Sequence, residues 1–332
     1  TFSQNISLTG SQFFKRTDWQ KLDQLTKLPT KIEIEVAGQK VLIGCWRYDF
    51  VGYSGHHVPV YLLDTNMLEN PPWVRDFTTN LYSSNGNIRI CQELVLGIGS
   101  VKMLAALGYN KIGKYHLNEG HAAFTTLQLL AESGFKDDEV RKRCIFTTHT
   151  PVPEGHDKFD WGKAYHYAGK YLPWHIKKLA SEECLNMTRL ATSLSGKNFA
   201  VSRKHKQVSD AIIPGVTFDY VTNGVHNHNW TAPTIQNMFD RFVPGWYENP
   251  IELARVPQTI PDDIFWQYHQ DAKSKLVRYV NTHLTSVTSL TEKNDPLKTE
   301  LFDDDVLTIS LARRPVAYKR PLLLYQDLAR FV

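Results

Sequence analysis

Apolar and polar residues alternate along residues 31–64, in the runs Lys31–Val36, Val41–Trp46 and Val58–Leu63. A period of two marks a half-buried strand. With Ala37-Gly38-Gln39 as a turn between the first two runs, the stretch predicts a β-meander or hairpin. From about Asn85 the period changes. Ile88, Ile90, Leu94, Val95, Ile98, Val101, Leu104 and Leu107 recur at helical spacing, and Gly108 follows as a helix-closing glycine. From there to about residue 230, short apolar runs alternate with helical patterns, which predicts a parallel, doubly wound α/β sheet. Residues 263–285 predict one longer helix. Asn294-Asp295-Pro296 and Asp303-Asp304-Asp305 then read as a connection between domains. Beyond it, Val306–Leu311 predicts a strand and Leu322–Phe331 a helix. The expected organisation is a domain over residues 1–293, a linker over 294–305 and the start of a second α/β domain over 306–332, cut short.

Several of the apolar runs end in clusters of chemically able residues. Ile112–Leu117 leads into Asn118-Glu119-Gly120-His121, and Cys144–Thr148 into His149-Thr150-Pro151-Val152-Pro153-Glu154-Gly155-His156. Tyr220–Thr222 leads into Asn223-Gly224-Val225-His226, and Val306–Leu311 into the basic segment Arg313–Arg320. Ligands of open parallel sheets bind beyond the carboxyl ends of the strands, so neighbouring strands would bring these clusters to one ligand. Each cluster also has a plain structural reading. Asn118 suits a helix N-cap and Glu119 the positive end of a helix dipole. The two prolines after His149 stiffen a loop whether or not it binds anything, and His149 could equally sit in the core. Cations around a helix start, with Arg314 and Lys319 among them, suggest a phosphate site or a solvated basic turn.

The bulk numbers narrow the field. A 42% hydrophobic, 22% charged chain of 332 residues with net charge +4 is an ordinary globular composition. The short basic patches do not point to nucleic acid. No apolar stretch approaches the ~20 residues of a membrane helix, and no secretory leader is visible in Thr1-Phe2-Ser3-Gln4. Cys45, Cys91, Cys144 and Cys184 lack CxxC spacing and read as free, mostly buried thiols of a cytoplasmic protein. His116, His121, His226 and His228 do not make a helical metal motif, so no metal is expected. Neither a P-loop nor a Gly-x-Ser-x-Gly elbow is present. Glu119 and Glu154 are candidate carboxylates for sugar chemistry, with nothing in the sequence to set their separation.

Several motifs, in order along the chain, together resemble the α-glucan phosphorylases: the glycogen, starch and maltodextrin phosphorylase family, in its shorter bacterial and archaeal form. They are FSQNISLTGSQ (Phe2–Gln12), PVYLLDTN (Pro59–Asn66), NPPWVRDFTTNLY (Asn70–Tyr82), IRICQELVLGIG (Ile88–Gly99) and HLNEGHAAF (His116–Phe124). FTTHTPVPEGHD (Phe146–Asp157), VSRKH and VSD (Val201–Asp210), VTNGVH (Val221–His226) and ARRPVAYKR (Ala312–Arg320) follow. The resemblance implies a GT-B architecture of two Rossmann-like domains facing a cleft. It also implies retaining phosphorolysis of an α-1,4-glucan to α-glucose 1-phosphate, with pyridoxal 5′-phosphate (PLP) as cofactor. By the same resemblance Glu119 lies near the sugar beside Asn118 and His121, and Asn223 contacts glucose. His149 contacts the sugar and offers its carbonyl to the oxocarbenium-like transition state. Arg314 and Lys319 bind the phosphates of substrate and cofactor. Family members are usually dimers, so a homo-oligomer is implied. The Schiff-base lysine motif Gly-Thr-Ser-Asn-x-Lys is not found here, nor is a Gly-rich loop before Phe2, so the chain reads as truncated at both ends. Pro315 and Ala317 depart from the usual residues of the phosphate motif. Two alternatives remain: a nucleotide-sugar glycosyltransferase of glycogen-synthase type, which would need no PLP, and a non-catalytic glucan-binding fragment.

Overall fold

The computed structural model describes residues 2–6, 12–16, 23–81, 83–288, 302–311 and 319–331. The chain divides into two compact units, Thr1–Asn223 and Gly224–Val332.

In the first unit, Phe2–Ile6 (β1) pairs antiparallel with Gln12–Arg16 (β2). The alternating stretch forms an antiparallel sheet of Leu25–Val36 (β3), Gln39–Val51 (β4) and His57–Asp64 (β5), in that order. The β3–β4 turn places Ala37 and Gly38 at φ 52° and 73°. The register slips between Leu28 and Lys31, which brackets Pro29, a residue with no N–H for the ladder. Ile34, Val36, Val41 and Ile43 point from one face of this sheet into the core shared with Ile90, Leu94 and Ile98.

Those last three come from the stretch read as one helix over 88–107. It is instead Gly86–Leu94, a wider π turn over Val95–Gly99, and Ser100–Ala106. Asn85 caps it, its side chain accepting the Asn87 N–H at 2.9 Å. The π turn falls where Gly97 meets the start of the helix Phe124–Glu132: a Cβ at 97 would lie 2.5 Å from Phe124 Cβ. Gly108 ends the run at φ 91°, as a C-terminal glycine should.

The alternating region carries Tyr115–Asn118 (β6), Cys144–Thr148 (β7), Lys158–Phe159 (β8), Leu185–Asn186 (β9), Lys197–Ala200 (β10) and Asp219–Tyr220 (β11). Four of them form a parallel sheet in the order β11-β10-β7-β6, while β8 and β9 pair separately. The α/β character with a parallel sheet and an antiparallel excursion is therefore observed, as a mixed fold consistent with part of a Rossmann-like GT-B protein. Two strand limits shift. The run Ile112–Leu117 pairs only from Tyr115, and Tyr220–Thr222 is strand only as far as Tyr220. Strand β10, which sequence periodicity did not single out, lies between β7 and β11 and joins their ends into one row.

The second unit is helical. Pro233–Phe242 and Asp262–Thr288 pack around Met238, Val243, Trp246 and Ile260, so the helix expected over 263–285 is present. The strand expected over Val306–Leu311 is not formed: the segment is irregular, with Leu307 83% exposed. A strand needs a neighbour to bond. Here the segment bonds a helix instead, Lys273 Nζ donating to Val306 O at 2.8 Å. The helix expected over Leu322–Phe331 breaks into a 3₁₀ turn, Pro321–Tyr325, and a short helix, Leu328–Phe331. Asp327 restarts it by accepting the Arg330 N–H on its side chain at 3.1 Å. Most of the expected linker lies outside the described residues. Cys45, Cys91 and Cys144 are buried free thiols and Cys184 is half-buried, as expected. Among the described residues no helix is long and apolar enough to cross a membrane.

Candidate active site

The order of the parallel sheet builds the site. Register pairs Asn118 with Thr147, Ala200 with Thr148, and Ala200 with Tyr220, so the carboxyl ends of four strands stand side by side. The Asn223 N–H donates to Val201 O at 3.2 Å, which ties the loop after β11 to the end of β10. Asn118, Glu119, His149 and Asn223, chosen from sequence, thus sit on adjacent strand ends of one unit, where ligands of such sheets bind.

Glu119 is the hinge of this arrangement. Its backbone lies at φ 71° and ψ 166°, a region nearly reserved for glycine, which for a glutamate stores strain. What holds it is bonding on both sides. Its N–H donates to Thr147 O at 2.9 Å. Its carboxylate accepts the His149 N–H, the Thr150 hydroxyl at 2.9 Å and the Thr148 hydroxyl at 3.3 Å. Neither it nor Asn118 caps the 3₁₀ turn Gly120–Ala122 with its side chain, so the capping reading gives way. Asn118 is the exposed last residue of β6.

His149 is exposed and therefore not a core histidine. Both peptide groups beside it are fixed. Glu119 holds the His149 N–H, and the next N–H, of Thr150, donates to Thr148 Oγ1 at 3.3 Å. In a planar trans peptide the carbonyl lies opposite the N–H. The His149 carbonyl therefore points away from the buried Thr148 hydroxyl, in a fixed direction. Such a preset dipole costs no reorganisation when charge develops beside it.

His121 is half-buried on the 3₁₀ turn. Burial pushes its pKa below the usual histidine value, Arg89 adds to this, and Glu119 and Asp157 oppose it, so the imidazole favours its neutral form. Behind the site His156 is buried, its Nδ1 2.8 Å from Thr188 Oγ1. Two glycines allow that packing: a Cβ on Gly120 would lie 2.9 Å from Thr188 Oγ1, and one on Gly155 2.5 Å from Thr150 Cγ2.

Glu154 is exposed on the 3₁₀ turn Pro153–Gly155. His226 caps the helix Asn227–Trp230 by accepting the Asn229 N–H at 3.2 Å, and His228 stacks on Trp246. Lys319 belongs to the second unit and is half-buried, while Arg314 is outside the described residues. Sequence reasoning missed Thr148 and Thr150 as donors to Glu119, and Arg89, Glu93 and Asp157 behind His121. The signal for Glu93 was present: a carboxylate between Ile90 and Leu94 on a buried helix face. The first unit's site offers one carboxylate, imidazoles and amides. That set suits a neutral polyol and does not by itself make a seat for an anionic PLP phosphate.

No family model matches the chain. It is 31% identical over 334 residues to a glycogen phosphorylase of Aquifex aeolicus, covering 90% of this chain and 47% of that protein. It is 33% identical over 297 residues to a maltodextrin phosphorylase of Thermococcus litoralis, covering 82% of this chain and 35% of that protein. A glycogen phosphorylase of Mycobacterium bovis matches at 31% over 316 residues, 82% of this chain and 36% of its own length. The chain thus spans less than half the length of these curated relatives.

Proposed function

Because this chain is homologous over most of its length to glycogen and maltodextrin phosphorylases, we propose that it serves an α-1,4-glucan phosphorylase. In that reaction inorganic phosphate removes the terminal glucose of a maltooligosaccharide as α-glucose 1-phosphate, with retention. The observation that carries the reading is the Glu119 carboxylate locked onto the His149 N–H and the Thr150 hydroxyl at the carboxyl ends of the parallel strands.

Each residue then has a physical task. The fixed His149 carbonyl lies against the sugar ring as it gains oxocarbenium character, and its dipole offsets the developing positive charge. Glu119 keeps that carbonyl aimed. Asn118, neutral His121 and Asn223 hydrogen-bond sugar hydroxyls. Arg314 and Lys319 would hold phosphate, that of the substrate and that of PLP, and their charge would reduce the repulsion between the two. PLP would supply a phosphate group able to exchange a proton with the substrate phosphate. A homo-oligomer in the cytoplasm completes the proposal.

The test is an assay of the full-length protein with maltooligosaccharide and phosphate. Phosphate-dependent release of glucose 1-phosphate supports the reading. Transfer from UDP- or ADP-glucose in its place would assign a nucleotide-sugar transferase, and glucan binding without turnover a non-catalytic module.

A further inference from the structure

Behind His121 lies a charged group that none of the roles above uses. Arg89 and Glu93 sit one turn apart on the helix Gly86–Leu94, and Asp157 follows the Pro-rich loop. Arg89 Nη2 is 2.7 Å and Nε 3.4 Å from the two oxygens of Asp157, a two-point contact. Arg89 Nε also approaches Glu93 Oε1 at 3.0 Å. The side chains of Arg89, Glu93 and Asp157 are 14%, 1% and 29% exposed.

One guanidinium therefore faces two carboxyl groups in a largely dry place. Were both ionised, the cluster would carry a buried net negative charge, which low-dielectric surroundings penalise heavily. The proton belongs on the more buried partner. Glu93 fits: both its oxygens are buried, and the Arg89 approach to Oε1 is an ion-pair contact without hydrogen-bond geometry. Burial first, then Asp157, push its carboxyl well above the usual carboxylate range, and Arg89 only partly opposes them.

The cluster reaches the site at both ends. Arg89 and Asp157 act on the His121 imidazole with opposite sign. The Asp157 carbonyl accepts the Met187 N–H at 3.1 Å, one residue from the Thr188 that bonds His156. The loop from His149 to Asp157 is thus pinned by Glu119 at its start and by Arg89 at its end.

We infer that Arg89 and Asp157 are positioning residues for the candidate site, with Glu93 beside them as a neutral carboxyl group. The guanidinium clamps the far end of the His149 loop and sets the charge around His121. Glu93 fills the helix face without adding a second negative charge. This rests on reading the site as the glucan site, so the experiment separates the two ideas.

In the full-length protein, wild-type phosphorolysis of maltooligosaccharide tests the functional reading alone. Asp157→Asn is then expected to lower kcat about 10- to 100-fold while KM changes less than about threefold, as misplacement of reacting groups does. Glu93→Gln, isosteric with a protonated carboxyl, is expected to stay within about twofold of wild type. A Glu93→Gln loss as deep as that of Asp157→Asn would overturn the inference, as would an unaffected Asp157→Asn. Infrared spectroscopy supplies a readout independent of activity and of the Asp157 variant's folding. The carbonyl stretch of a protonated carboxyl should be present in the wild type at neutral pH and missing in Glu93→Gln. Its absence from the wild type would overturn the neutral assignment even if phosphorolysis is observed. A wild type that shows the band but no phosphorolysis would sink the functional reading and keep the cluster's charge state.

Discussion

The Glu119 carboxylate accepts the backbone N–H of His149, and in doing so joins the ends of two parallel strands through a residue whose own backbone is strained. Strain and bonding can be separated by substitution. Glu119→Ala removes the acceptors and keeps a side chain at φ 71°, while Glu119→Gly removes the acceptors and relieves the backbone. Glycine is ordinarily the less stable of the two. Here the Gly variant should be more stable than the Ala variant by about 1–3 kcal/mol in urea unfolding. Both should fall below wild type, because the His149 N–H and two threonine hydroxyls lose their acceptor. An Ala variant at least as stable as the Gly variant would mean that the observed backbone conformation is wrong.

Much of the fold could be read from periodicity because burial on one face imposes it. The alternation of Ile32, Ile34 and Val36 predicted β3, and the spacing from Ile88 to Leu107 predicted a helix. The π turn could not be read, since Val95–Gly99 keeps an apolar pattern while its geometry depends on contact with Phe124. Val306–Leu311 failed for the opposite reason: a strand-like run forms no strand without an edge to pair with. At the site, Asn118, Glu119, His149 and Asn223 stood out as polar residues at strand ends. The threonines that grip Glu119 did not, because hydroxyls directed at a residue some thirty positions away leave no local pattern.

Gly97 is a packing test of the π turn. A methyl group there would meet Phe124 Cβ at 2.5 Å and Thr125 N at 2.7 Å, and both belong to a fixed helix start. Gly97→Ala should cost about 3 kcal/mol or more through overpacking. Gly113→Ala is the control, since nothing lies within 4 Å of its added Cβ. Comparing urea midpoints checks this, and equal midpoints for the two variants would contradict the close approach.

Thr188 should matter through His156. Thr188→Val keeps the shape and leaves the buried His156 Nδ1 without its 2.8 Å partner, a loss of about 1–3 kcal/mol. The pH dependence has a definite sign. Burial, the largest cause, holds the folded His156 pKa below its ordinary 6.5, so on acidification the unfolded chain takes the proton first. The contribution of this residue is complete above pH 6.5 and is lost as pH falls from there towards the folded value. His121, also held low by burial, acts in the same direction, and the raised Glu93 carboxyl works the other way, losing stability as pH rises above its ordinary 4.5, so the whole-protein slope mixes several groups. The clean measurement is the difference between wild type and His156→Gln, which should flatten the acid side. An unchanged acid slope in the variant would rule out a buried neutral His156.

The cysteines give the last test, in the alkaline range. Burial pushes the thiols of Cys91 and Cys144 from 9.0 up to about 12. Between those values the unfolded chain loses these protons and the folded chain keeps them, so stability should fall as pH rises above 9.0. The full effect is on the order of 4 kcal/mol for each thiol. Reactivity follows the same burial, because the thiolate is the nucleophile. A thiol reagent at neutral pH should modify half-buried Cys184 first, with Cys45, Cys91 and Cys144 reacting only as fast as the protein opens. Mass spectrometry of the early product identifies the site. Modification of Cys91 or Cys144 before Cys184, in protein that is still folded, would show that the helix Gly86–Leu94 and β7 are not buried as described.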